Sequence, residues 1–147
     1  METTAIDVLK DLIEVTTDSA DGYSDAAEVA GTSRYKSMFA SRGAERRELV
    51  RQLQQELALH GGESDSSGSA LAAAHRRFLE LRNALTMGDE AIIDEVERGE
   101  DYITAKYERA VRGNDLSAST RAVILRAYES VRAGHDQVRD LKDAGVI

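Results

Sequence analysis

The chain has no cysteine, no proline and no tryptophan in 147 residues. Without cysteine there is no disulfide, no thiolate metal site and no thiol nucleophile. Without proline nothing in the sequence forces a kink or stop inside a helix, so long uninterrupted helices are expected. Aromatic residues are few, five tyrosines and two phenylalanines. No apolar stretch approaches the ~18 residues of a membrane span. The opening Met1-Glu2-Thr3-Thr4 lacks the basic and apolar segments of a signal peptide. A cytoplasmic protein without membrane association is therefore expected. Basic residues are the minority charge: 19 Lys and Arg stand against 27 Asp and Glu, a net charge of −8. That balance argues against nucleic acid as a partner.

What is present is helical period. Apolar residues recur at three- and four-residue spacing over 4–30, and again to about 60, 70–87, 89–112 and 117–143. Gly31, Gly61-Gly62, Gly88 and Gly113 punctuate these segments, Asp89 and Ser117 being read as N-caps. A polar stretch, 63–69, reads as a loop. The chain has the length of one domain, 1–147. The predicted fold is all-α: two antiparallel hairpins of long helices, joined by a crossover at about 61–88 that contains an extra helix. This is the connectivity of a ferritin-like four-helix bundle; the alternative is a five-helix array in which the 70–87 helix packs as an equal partner.

At 100° per residue the faces of each helix can be placed. The first helix turns Leu9, Leu12, Thr16, Ala20, Tyr23 and Ala27 inward. Its acids, from Asp7 and Asp11 to Asp25 and Glu28, lie opposite, as a solvated face or a docking strip for a basic protein partner. The second helix carries Arg42 and Arg46 in its inner stripe among Phe39, Leu49 and Leu53. One arginine stem can snorkel outward; the other needs a buried partner. Glu100 supplies one, being in line with Val96, Ile103 and Tyr107 on the next long helix. Thr16 and Tyr128 reach the same level, and His135 points inward one turn beyond Val131. Arg42, Arg46, Glu100, Tyr128 and His135 are thus the expected buried polar layer. Such a layer fixes register more than it adds stability. His75 lies near the inner stripe of the crossover helix, and His60 ends the second helix, where it can interact with the helix dipole.

Metal chemistry is the alternative. Di-iron bundles use Glu-x-x-His pairs, which place two ligands on one helix face. The chain has no Glu-x-x-His; Glu45-x-x-Glu48 and Glu97-x-x-Glu100 keep the spacing without the imidazole. An iron or manganese site would have to draw on Glu45, Glu48, Glu97, Glu100 and His135, beside two fixed arginine charges. No phosphate-cradling glycine loop and no nucleophile elbow is present.

Several strings carry a family resemblance: Asp21-Gly22-Tyr23, Gly61-Gly62-Glu63, His75-Arg76, Glu97-Arg98-Gly99-Glu100-Asp101 and His135-Asp136. With these the chain resembles a family of small bacterial proteins described as ferritin-like four-helix bundles of unknown function. The resemblance implies that fold in a bacterial cytoplasm, in a stress setting, and no particular activity. A non-enzymatic bundle acting by self-association or partner binding is the expected function; a ferritin-type metal-binding or di-metal oxidative protein is the alternative. For self-association, Val8, Val15, Leu59, Val123 and Leu141 at the margins of their stripes are the expected patch of a homodimer.

Overall fold

The structure, a computed structural model, describes residues 2–62, 88–113 and 116–143. Four helices account for nearly all of them: α1 (Glu2–Val29), α2 (Ser33–Leu59), α3 (Asp89–Arg112) and α4 (Ala118–Asp143). These match the expected segments closely. The extra helix expected over 70–87, the loop 63–69 and His75 lie outside the described residues.

The helix ends follow from local chemistry. After α2, Gly61 has φ +80°, a backbone that glycine adopts freely. The Gly61 N–H donates to Ala58 O and the Gly62 N–H to Leu57 O, the paired bonds of a Schellman motif. Ser117 caps α4, its Oγ accepting the Thr120 N–H at 3.3 Å. Asp89 differs from its expected role. Gly88 takes the N-cap position of α3, and the Asp89 side chain reaches away to the α1–α2 turn. There its carboxylate accepts from the Gly31 N–H at 2.8 Å and from the Thr32 hydroxyl. Those two bonds, Thr32's first, hold the Asp89 carboxyl below its ordinary pKa.

Helix directions follow from these contacts. Asp89 ties the start of α3 to the end of α1, while Gly62 packs by Leu57 and Ile6, near the start of α1. Gly62 and Gly88 therefore lie at opposite ends. The order is up, down, down, up, with α1 flanked by α2 and α3, and α4 flanked by the same two. The arrangement is all-α and compatible with a four-helix bundle.

The core has two halves. One holds Leu9, Leu12, Leu53, Ile103, Tyr107 and Ile124; the other holds Phe39, Ile92, Ile93 and Val138 with Tyr23 and Tyr35. Phe39 packs between the two tyrosine rings at 6.0 and 6.4 Å. The marginal residues expected to form a patch divide. Val15 and Leu141 are buried in the two core halves, Val8 and Val123 pack against the core from its edge, and Leu59 is exposed at 80%. A helix packed on two neighbours buries a wider stripe than one packed on a single face, which draws Val15 and Leu141 inside.

Candidate functional site

Where the core halves meet, the interior is charged. Arg46 is fully buried and Glu100 is 1% exposed. The guanidinium donates twice to the carboxylate, Nη1 to Oε1 and Nη2 to Oε2, each at 2.9 Å. This bidentate geometry is the strongest pairing open to two side chains. The partners belong to α2 and α3, which face each other across the bundle, so the long arginine spans its middle.

Other polar ends are met by the other helices, while Arg46 Nε stays buried with no hydrogen-bond partner among the described residues. From α1 the Tyr23 hydroxyl donates to Glu100 Oε1 at 2.7 Å, and Ser19 Oγ accepts from Arg46 Nη1 at 2.7 Å. From α4 the Val131 carbonyl accepts from Nη2 at 3.4 Å. The Arg46 Cζ also lies 5.3 Å from the centroid of the Tyr23 ring. Gly134 on α4 makes room for this: a Cβ there would stand 2.4 Å from Arg46 Nη2 and 3.1 Å from the Arg42 stem. Seven residues along both α1 and α3, Thr16 Oγ1 and the Tyr107 hydroxyl form a second buried bond at 2.7 Å.

Electrostatics holds the protons on Arg46, Tyr23 and Tyr107. Burial works against the Arg46 charge, but the attraction of Glu100 and their hydrogen bond outweigh it and raise the guanidinium pKa. Burial, with the negative charge of Glu100 beside it, pushes the Tyr23 phenol well above its usual range. Burial takes Tyr107 up to about 12 despite its bond to Thr16.

The expected layer and the observed one overlap only in part. Arg46 and Glu100 meet. Arg42 is the arginine that snorkels, its head bonded to Glu45 at 2.9 Å and to Gln137 at 2.7 Å near the surface. Tyr128 does not join; Tyr23 reaches the carboxylate in its place, and Tyr128 lines a polar cleft between α3 and α4. His135 is largely buried, but its Nε2 bonds Asp101 at 2.7 Å on the side of that cleft. Ser19, Tyr23 and Gly134 are the members that sequence reasoning missed. His60 also does more than face a helix end: its Nε2 lies 2.8 Å from Thr120 Oγ1 and 3.2 Å from Glu56, both buried.

The carboxylates of the metal alternative point to separate partners. Glu45 faces Arg42 and Ser130, Glu48 faces Arg51, and Glu97 takes Lys142 at 2.8 Å. Glu100 is held by Arg46. Among the described residues no group of three or more His, Asp or Glu side chains is placed to hold a metal ion.

Residues 4–113 match the model of a family described as a domain of unknown function, DUF2383. The chain belongs to this family. The stretch matched to DUF2383 takes in α1, α2 and α3, and with them Ser19, Tyr23, Arg46 and Glu100; α4, with Gly134 and His135, follows it. The DUF2383 description assigns no activity. No curated protein and no solved structure matches the chain.

Proposed function

We propose that this DUF2383 protein is a ferritin-like bundle that acts by association, with a second copy of itself or with a partner protein, and not by catalysis. The observation carrying the reading is the internal pairing of the buried layer, which leaves only Arg46 Nε without a partner among its described charged groups. The carboxylate of Glu100 is engaged by two guanidinium bonds and a phenol, and the guanidinium by groups from all three other helices. A layer so matched fixes register and leaves little for a reacting group or a divalent cation to bind. The up-down-down-up helix order supports the ferritin-like comparison.

Association then falls to the surface. Leu59 and Tyr102 are large apolar side chains exposed at 80% and 60%. Asp7, Asp11, Glu14 and Glu28 give α1 an exposed acidic face suited to a basic partner. A net charge of −8 opposes self-association at low salt, so a homodimer should tighten as salt screens the charge. Sedimentation velocity at low and moderate ionic strength tests this. A dimer favoured by salt is expected; a monomer at both, at high protein concentration, removes self-association. The partner arm then rests on α1, and fails if Asp7→Lys with Glu14→Lys leaves partner capture unchanged.

A further inference from the structure

Between α3 and α4 lies a cleft of about 560 Å³ lined almost wholly by polar side chains. Its three carboxylates are engaged. Asp101 takes His135 Nε2 at 2.7 Å, Asp136 lies 3.4 Å from Nδ1 of the same ring, and Glu108 takes Arg112 at 3.4 Å. Its donors are not engaged. Among the described residues Arg132, Arg139 and the Tyr128 hydroxyl meet no hydrogen-bond acceptor and no counter-ion. Thr104, 9% exposed in the cleft wall, has a buried hydroxyl with no hydrogen-bond partner among them either. The contacts of Asp101 with His135 and of the Val111 carbonyl with Arg121 set the antiparallel register of α3 on α4. That register puts Thr104 level with Arg132, and Tyr128 is one turn away. Arg139 stands two turns along α4 on the other side, about 10 Å at 1.5 Å per residue. Glu97, at its level, is taken by Lys142.

These features select a ligand class. A buried polar group without a partner marks a place for a ligand atom or water, and threonine keeps two rotamers in a helix, so the Thr104 hydroxyl can turn to the cleft. Arg132, Tyr128 and Thr104 then form a set of donors at one end, and the guanidinium fork matches the paired oxygens of a phosphate. Arg139 offers a second fork at the other end. Between the ends, Asp101 and Asp136 do not call for a cation, because His135 is already theirs. Their remaining lone pairs still accept from neutral hydroxyls. A cleft of this volume takes a small organic molecule whole. We infer that the α3–α4 cleft binds a small polyol with a phosphate at one end and a second anionic group at the other. The phosphate sits at Arg132, Tyr128 and Thr104, the second anion at Arg139, and the hydroxyls at Asp101 and Asp136.

The test is a titration of the full chain at fixed ionic strength, followed by NMR of the Thr104 methyl and the arginine Nε–H groups. Three probes are compared: fructose 1,6-bisphosphate, fructose 6-phosphate and fructose. Saturable shifts with the bisphosphate are expected, at least tenfold tighter than with the monophosphate, and no saturation with fructose. Arg139→Gln, at an exposed position, should bring the bisphosphate down to the affinity of the monophosphate. Arg132→Gln, also exposed, should weaken both at least threefold. Thr104→Val removes only an unpaired hydroxyl, so it should leave the melting temperature unchanged and weaken both phosphates at least threefold. A Thr104→Val protein that loses stability and keeps its binding would remove the phosphate end of the site. Equal affinity for the two phosphates, no saturation with the bisphosphate, or binding untouched by Arg132→Gln would overturn the assignment. Inorganic phosphate binding as tightly as the bisphosphate would do so too, as the mark of an adventitious ion only.

Discussion

Replacing Glu100 by glutamine changes almost nothing in shape and removes one charge. Arg46 keeps its own, fully buried, with no counter-ion among its described neighbours: Ser19 and the Val131 carbonyl are neutral. The amide can accept one of the two guanidinium bonds but must turn an NH2 group toward the other Nη or toward Tyr23. Breaking a buried ion pair from one side costs about 3–5 kcal/mol. For a domain of this size each kcal/mol moves Tm by roughly 2–4 °C, so Glu100→Gln should melt roughly 6–20 °C below the parent. The double change Arg46→Met with Glu100→Leu should recover much of that loss, because an apolar filling of similar volume needs no counter-charge. Calorimetry or thermal circular dichroism on the three proteins is sufficient. A Glu100→Gln protein melting within ~2 °C of the parent would refute the buried pairing, and a double variant as unstable as the single would refute the desolvation argument.

Gly134→Ala should destabilise by about 2 kcal/mol or more, because its Cβ would meet Arg46 Nη2 at 2.4 Å; Gly99→Ala, in open space, should instead stabilise by about 0.5–1 kcal/mol, and chemical denaturation compares the two. Tyr23→Phe removes a bond to a charged acceptor and should cost about 1.5–3 kcal/mol by the same measurement. In an alkaline absorbance titration Tyr23 and Tyr107 should ionise only above the ordinary phenol range. Because folding raises the pKa of both, the stability they lend is complete below pH ~10, the unfolded value, and falls as pH rises through about 12 for Tyr107; ionisation of Tyr23 and Tyr107 near 10 in the folded protein would contradict their burial. Asp89 has the opposite sign: its lowered pKa gives stability above about pH 4, lost as pH falls through the folded value, and Asp89→Asn should flatten that part of the acid unfolding curve.

The helices and the central pair were legible because both are carried by a single repeating pattern. An arginine among Phe39, Leu49 and Leu53, and a glutamate among Val96, Ile103 and Tyr107, can be read one helix at a time. Tyr23 could not. A tyrosine in an apolar stripe reads as core, and where its hydroxyl goes depends on the register of α1 against α3, a tertiary property. Tyr128 was placed by level along its helix, but it sits at the edge of α4 facing the α3–α4 cleft. Gly134 left no positive signal: a glycine inside a helix reads as a penalty until Arg46 and Arg42 are seen to pass across it. Asp89 has the sequence of a cap and serves a different turn, because the end of α1 arrives beside it. His60 likewise looked local, and its partner Thr120 comes from another helix.

The claim that the buried layer is structural and not a metal centre is tested most directly by metal content. Protein expressed in medium supplemented with iron and manganese, purified without chelator, should carry neither metal near stoichiometry, because Glu100 is held by a fixed positive charge and Glu45, Glu48 and Glu97 face separate partners. Near-stoichiometric iron or manganese that disappears in Glu100→Ala would contradict the account.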